Sequence, residues 1–325
     1  MDLQVFNLYH ILLLVVHFVV FTAITVLVFF TTRHNRRASK IVIGSLCFLS
    51  LLIHLTRLPF PPHGDTFPSS IQFIMPITVS AFSSFSFFFI FMWGNKTWKD
   101  FMFYVGVLGG LMAMFMPVAA LDNPWYHYEV IRFMTAHALN GFLPLMMVLC
   151  GHHKLDYRYS WRAMFVLVFV LCIILLNEIF MMALGIVHFN DLNHFFSAST
   201  RNGALIFGPE PRGGFASWLF STLTPAFART APFDITSLGI SQGEVFYWPI
   251  IWIMFPGAVV LLPMCFLLCL VFDHRRFWRD VRWLWYTSTR QYQKRNEIPK
   301  RKLDRFKCAR CRQKNYYQYI KRQDF

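Results

Sequence analysis

Seven apolar runs dominate this chain, near residues 8–30, 41–58, 70–93, 101–119, 128–150, 162–187 and 247–272. A bilayer core about 30 Å thick is crossed by roughly 20 apolar helical residues. A soluble domain would have to bury seven helices that are apolar on every face, which a chain of this length cannot do. With 56% hydrophobic and only 14% charged residues, the composition also belongs to the membrane class. The sequence therefore predicts an all-α polytopic transmembrane bundle of about seven spans.

Charge predicts its orientation. Nothing basic precedes the first run, whereas Arg33, Arg36, Arg37 and Lys40 follow it. The run is therefore read as an anchor with the N-terminus outside, not as a cleavable signal. Basic residues in the successive short loops alternate between high and low: the 31–40 group, Arg57, then Lys96 with Lys99, Arg132, then Lys154, Arg158 and Arg162. That pattern fits an N-out, C-in protein. Residues 1–272 read as one membrane domain with a long outer loop at 188–246, and 273–325 as a cytoplasmic tail. The tail holds seventeen basic and five acidic side chains, most of the formal charge of +15. Such a segment is drawn to anionic lipid head groups by about 1 kcal/mol per charge. Membrane lipids are the expected partners, a protein partner is a further one, and nucleic acid is not expected.

Cys308 and Cys311 form a single C-x-x-C, half of a zinc site with no second pair, so neither metal nor cofactor is assigned. Gly106 and Gly110 form a GxxxG that suits close helix packing. In the outer loop, GGFASWLFSTLTPAF is apolar but too short to span, which suits an interfacial segment lidding the bundle.

Polar side chains at membrane depth carry the functional signal, because burying them costs energy unless they are paired or used. With 70–93 and 128–150 both entering from outside, Ser80 and His137 lie about 15 Å deep at 1.5 Å per residue. Asn177 and His17 reach a similar level. A serine and a histidine at one depth can form a nucleophile–base pair. His137, Asn140 and Gly141 share a helix face, and Pro144 leaves the Asn140 carbonyl without its helical donor. Glu178 could orient an imidazole, although it points a helical step away from Asn177. The plainer reading is that span serines bond the preceding turn and span histidines are satisfied bundle residues.

The motifs IMPITVS (74–80), RFMTAHALNG (132–141), NHFF (193–196) and VFYWPIIW (245–252) resemble the YwaF-type integral membrane family, which is related to eukaryotic ether-phospholipid acyltransferases. In that family the first motif reads P-x-H-x-C, and its cysteine is the proposed acyl nucleophile. The histidine that works with it aligns with His137. Here Ser80 stands in the cysteine position and Thr78 in the upstream histidine position. The resemblance implies an intramembrane acyltransferase or lipid hydrolase in a bacterial plasma membrane. Ser80 would be nucleophile and His137 base, with Thr78, Asn140, Asn177 and Asn193 as supporting or alternative groups. The serine and threonine equally suit a non-catalytic descendant, a membrane subunit or scaffold of a larger complex. A carrier for a lipidic ligand is a third reading, opposed by the absence of internal repeats.

Overall fold

A computed structural model describes residues 2–59, 69–187, 203–209, 214–229 and 247–288. These are helical, with no β-strand among the described residues; only an isolated bridge joins Asp2 and Pro124. The long helices are α1 (Leu8–Thr32), α2 (Arg36–Leu55), α3 (Val79–Trp93), α4 (Lys96–Phe115), α5 (Tyr128–Leu149) and α6 (Arg162–Ala183). A shorter helix, α7 (Gly214–Leu223), falls in the long connection at 188–246. The last run forms α8 (Ile251–Pro256), a π-helical stretch Gly257–Leu261 after Pro256, and α9 (Leu262–Ser288). Helical dihedrals break inside α9 at Asp273. Leu8–Thr32, Arg36–Leu55, Arg162–Ala183 and Ile251–Trp285 are each long and apolar enough to cross a membrane.

Local chemistry sets where these helices begin. Asn7, Asn35, Thr78 and Asn95 each accept a hydrogen bond from an amide in the first turn that follows. Each thereby satisfies a donor the helix cannot satisfy itself. α1 exposes Leu8, Ile11, Leu12, Val15, Val16 and Val19, as a lipid-facing helix should, and buries His10, His17 and Phe21. The buried histidines are bonded. His10 donates through Nε2 to the Met114 carbonyl at 2.8 Å and accepts from the Phe6 amide at 2.9 Å.

The closest packing is between α4 and α5. A β-carbon on Gly106 would lie 2.7 Å from the Asn140 carbonyl oxygen, and one on Gly110 would lie 2.6 Å from the Gly141 nitrogen. Both distances are too short for any side chain, so the GxxxG brings two backbones together. Gly109, on another face, has nothing within 4 Å.

Run 70–93 departs from its expected continuous helix. Ser69–Phe73 is a 3-10 turn, 74–78 is irregular, and α3 starts only at Val79. Pro76 has no amide to donate and disfavours helical geometry at Met75, so the helix restarts behind the Thr78 cap. Ser80 is therefore the second residue of α3, not ten residues into a span. Non-helical backbone inside a helical bundle needs partners for its polar groups. Here α2 supplies support: His54 Nε2 donates to the Ile74 carbonyl at 2.9 Å, and Arg57 donates to the Phe73 carbonyl at 3.2 Å.

Candidate active site: a serine and a histidine across two helices

Ser80 Oγ lies 2.9 Å from His137 Nε2. His137 Nδ1 lies 2.8 Å from the carbonyl of Phe133, one turn earlier in α5. A carbonyl only accepts, so Nδ1 holds the ring hydrogen and Nε2 is left with its lone pair. The serine hydroxyl is then the donor, the polarity a nucleophile and general base require. His137 is buried, while Ser80 is half-buried, so the hydroxyl is the accessible member of the pair. The ring is oriented by a backbone carbonyl. Glu178 is buried on α6, but both His137 nitrogens are already engaged by Phe133 and Ser80.

The start of α3 adds a second element. The Ala81 amide donates to Thr78 Oγ1 at 2.9 Å and the Phe82 amide to the Thr78 carbonyl at 2.9 Å. Among the described residues, the Val79 and Ser80 amides meet no acceptor. Two unspent N–H groups thus lie at the helix end beside the Ser80 hydroxyl, where the helix dipole also favours negative charge.

The other residues singled out by the sequence fall into distinct places. Thr78 is the cap of α3. Asn140 donates to the Ser80 carbonyl at 3.3 Å and to Ser84 Oγ at 3.1 Å, so its amide ties α3 to α5. Asn177 lies on α6, which packs against α3, and its Nδ2 is buried without a hydrogen-bond partner. His17 shares the tautomer of His137, donating to Leu13 at 2.7 Å, but its Nε2 faces Thr135 at 3.3 Å. Thr135 is two residues from His137, about 200° around the helix, so His17 meets the far side of α5. Asn193, Cys308 and Cys311 lie outside the described residues. Among the described residues no cluster of three or more His, Cys, Asp or Glu side chains could hold a metal ion.

A strap from the connection between α6 and α8 reaches this site. At Gly203 a β-carbon would lie 2.7 Å from the Thr78 methyl, so the start of segment 203–209 lies against the cap of α3. The buried Trp252 indole holds the strap, donating to the carbonyls of Leu205 at 2.9 Å and Ile206 at 3.1 Å. The Ile250 amide adds a bond to Ile206 at 3.0 Å. Sequence reasoning missed the Phe133 carbonyl, the two free amides and this strap. The i, i+4 spacing of Phe133 and His137, and a threonine two residues before the serine, were the available signals.

Apolar helices long enough to cross a membrane, a restarted helix packed against α5 and a Ser–His pair at that restart define an integral membrane protein with a partly buried hydroxyl–imidazole pair. The sequence pattern of the TMEM164 family matches residues 5–269, so the chain belongs to the TMEM164 family. No curated protein and no solved structure matches it.

Proposed function

We propose that this protein is an intramembrane, lipid-directed acyltransferase or hydrolase that forms an acyl-serine on Ser80. The observation that supports this most is the polarity of the Ser80–His137–Phe133 chain of hydrogen bonds. The resemblance to the YwaF-type family, with serine for cysteine, supports it independently. Ser80 Oγ attacks the carbonyl carbon of a lipid ester as its proton passes to His137 Nε2. The Val79 and Ser80 amides receive the oxyanion. Collapse breaks the ester C–O bond, and His137 returns the proton to the departing alcohol oxygen. An acceptor hydroxyl, or water, then gives its proton to His137 and attacks the acyl-serine, restoring Ser80. Asn177, with an unmet donor on a neighbouring helix, is proposed to address the lipid ester or acceptor.

In this reading seven helices cross the bilayer with the N-terminus outside. α3, about 22 Å long at its fifteen residues, is completed by the 69–78 segment. The substrate acyl chain enters from the outer leaflet.

The test is covalent labelling of the detergent-purified full chain with a long-chain alkyl fluorophosphonate. Labelling at Ser80 that is abolished in Ser80→Ala and strongly slowed in His137→Gln is the expected result. A properly folded chain that takes no label at Ser80 would sink the enzyme reading and favour a membrane scaffold.

A further inference from the structure

At the end of the bundle opposite the Ser80–His137 pair, basic groups from three elements converge. Arg36 and Lys40 lie one turn apart at the start of α2, Lys99 lies in the first turn of α4, and His152 lies in the connection after α5. Ser39, between Arg36 and Lys40 on α2, lies 2.7 Å from the His152 ring, and Asp100, next to Lys99 on α4, lies 2.7 Å from the His153 ring. Packing thus brings the three cations to the His152 connection, where their charges disfavour a proton on His152. Neighbouring cations are otherwise employed: Lys96 and Arg162 sit over the Tyr159 ring, and Arg33 bonds His34. Among the described residues, Arg36, Lys40 and Lys99 have no acidic partner.

His152 is held in place from several sides. Beyond α5 the chain turns at Gly151, whose φ of 74° suits glycine, and the His152 amide returns to the Met147 carbonyl at 2.9 Å. Its Nε2 lies 2.7 Å from Ser39 Oγ on α2, and Phe91 of α3 packs edge-on against its ring. The next residue, His153, is buried and bonded at 2.7 Å to buried Asp100, which anchors the connection to α4 beside Lys99. Asp100, the sequence neighbour of Lys99, is therefore already occupied. Like charges brought together by a rigid scaffold repel one another unless an anion joins them.

We propose that Arg36, Lys40, Lys99 and His152 form a binding site for a phosphate group. Lys and Arg bind phosphate through charge-assisted hydrogen bonds, and a bound anion offsets the like charges that keep a proton off His152, which then adds a donor. Phe91 lies about 16 Å along α3 from Ser80, so the site is separate from the acyl-transfer chemistry and does not depend on it. Phosphate reaches such a place either on a phospholipid head group or on a soluble compound.

The experiment titrates the full chain in neutral detergent with dioctanoyl phosphatidic acid and, separately, with inorganic pyrophosphate, following the thermal midpoint. Three forms are compared: wild type, Arg36→Gln/Lys40→Gln/Lys99→Gln, and the tail variant Arg275→Gln/Arg276→Gln/Arg279→Gln with the same loss of charge. The expected result is saturable stabilisation of wild type and tail variant, with affinity lower by on the order of a hundredfold in the first triple variant. Stabilisation by phosphatidic acid alone assigns the site to a head group, and stabilisation by pyrophosphate assigns it to a soluble phosphate. Unchanged binding in the first triple variant, or an equal loss in the tail variant, overturns the proposal. Should the triple variant not fold, Lys40→Gln at an exposed position is read instead, with about a fivefold fall expected.

Discussion

The Phe133 carbonyl, 2.8 Å from His137 Nδ1, decides which nitrogen of that imidazole faces Ser80. A backbone acceptor one helical turn away cannot be mutated, and it leaves Nε2 free to take the serine proton. Orientation without a carboxylate suits a membrane interior, where a buried charge is expensive. The arrangement depends on an undistorted α5 between Phe133 and His137.

Ser80→Ala is expected to lower acyl turnover by at least about a thousandfold, as loss of a nucleophile does. Its cost in stability is only about 1 kcal/mol, the worth of one hydrogen bond. Ser80→Cys should retain turnover, since a thiol is readily activated by the same imidazole. Turnover of a fluorogenic lipid ester, alongside the thermal midpoint of each variant, checks both.

Gly110→Ala should destabilise the fold by about 1–3 kcal/mol, because the new methyl meets α5 backbone rather than a yielding side chain. The Gly141 nitrogen and the His137 carbonyl would be pushed away, so activity should fall as well. Gly109→Ala is the matched control: with nothing within 4 Å, it should be neutral or stabilising by up to about 1 kcal/mol. Denaturation of the two variants in one detergent would contradict this packing account if their midpoints agreed.

Trp252→Phe keeps the aromatic packing but removes the N–H that holds the carbonyls of Leu205 and Ile206. Amide hydrogen exchange across 203–209 should accelerate, by about tenfold for a bond worth about 1.5 kcal/mol. Exchange no faster than wild type would mean that the strap is held by its buried side chains alone.

His152 contributes a pH dependence. Burial, and then the charges of Arg36, Lys99 and Lys40, push its pKa below the ordinary histidine value. The folded chain then resists a proton that the unfolded chain accepts near pH 6.5. Its contribution to stability is complete above that pH and is lost as pH falls through the lowered folded value. His152→Gln should therefore flatten the acid side of the stability profile. Neutralising Arg36, Lys40 and Lys99 should move the His152 titration, read by NMR, back upward.

Asp100→Ala leaves His153 buried without its partner and should cost about 3 kcal/mol or more. The connection that carries His152 should loosen with it. A thermal midpoint within a degree of wild type would show that the pair contributes no stability.

Membrane class and the approximate positions of the long apolar helices were legible in the sequence, because they depend on composition over about twenty residues. The caps Asn35, Thr78 and Asn95 set the starts of α2, α3 and α4 away from the edges of the apolar runs. The candidate pair Ser80 and His137 was legible too, but through a depth count that assumed a continuous helix across 70–93. The structure breaks that helix at Pro76 and brings Ser80 to His137 from the head of α3 instead. Equal depth likewise put His17 and Asn177 at the level of the pair, yet depth says nothing of which way a side chain points. His17 faces Thr135, and Asn177 keeps an unused donor. The Phe133 carbonyl, the free Val79 and Ser80 amides, the Trp252-held strap and the Arg36–Lys40–Lys99–His152 group were decided by tertiary structure alone. Backbone carbonyls and amides are nearly the same in every residue, and charges from two helices and a connection meet only after packing. One-dimensional order records residue type and spacing; which groups are left unpaired emerges only when the helices have chosen their neighbours.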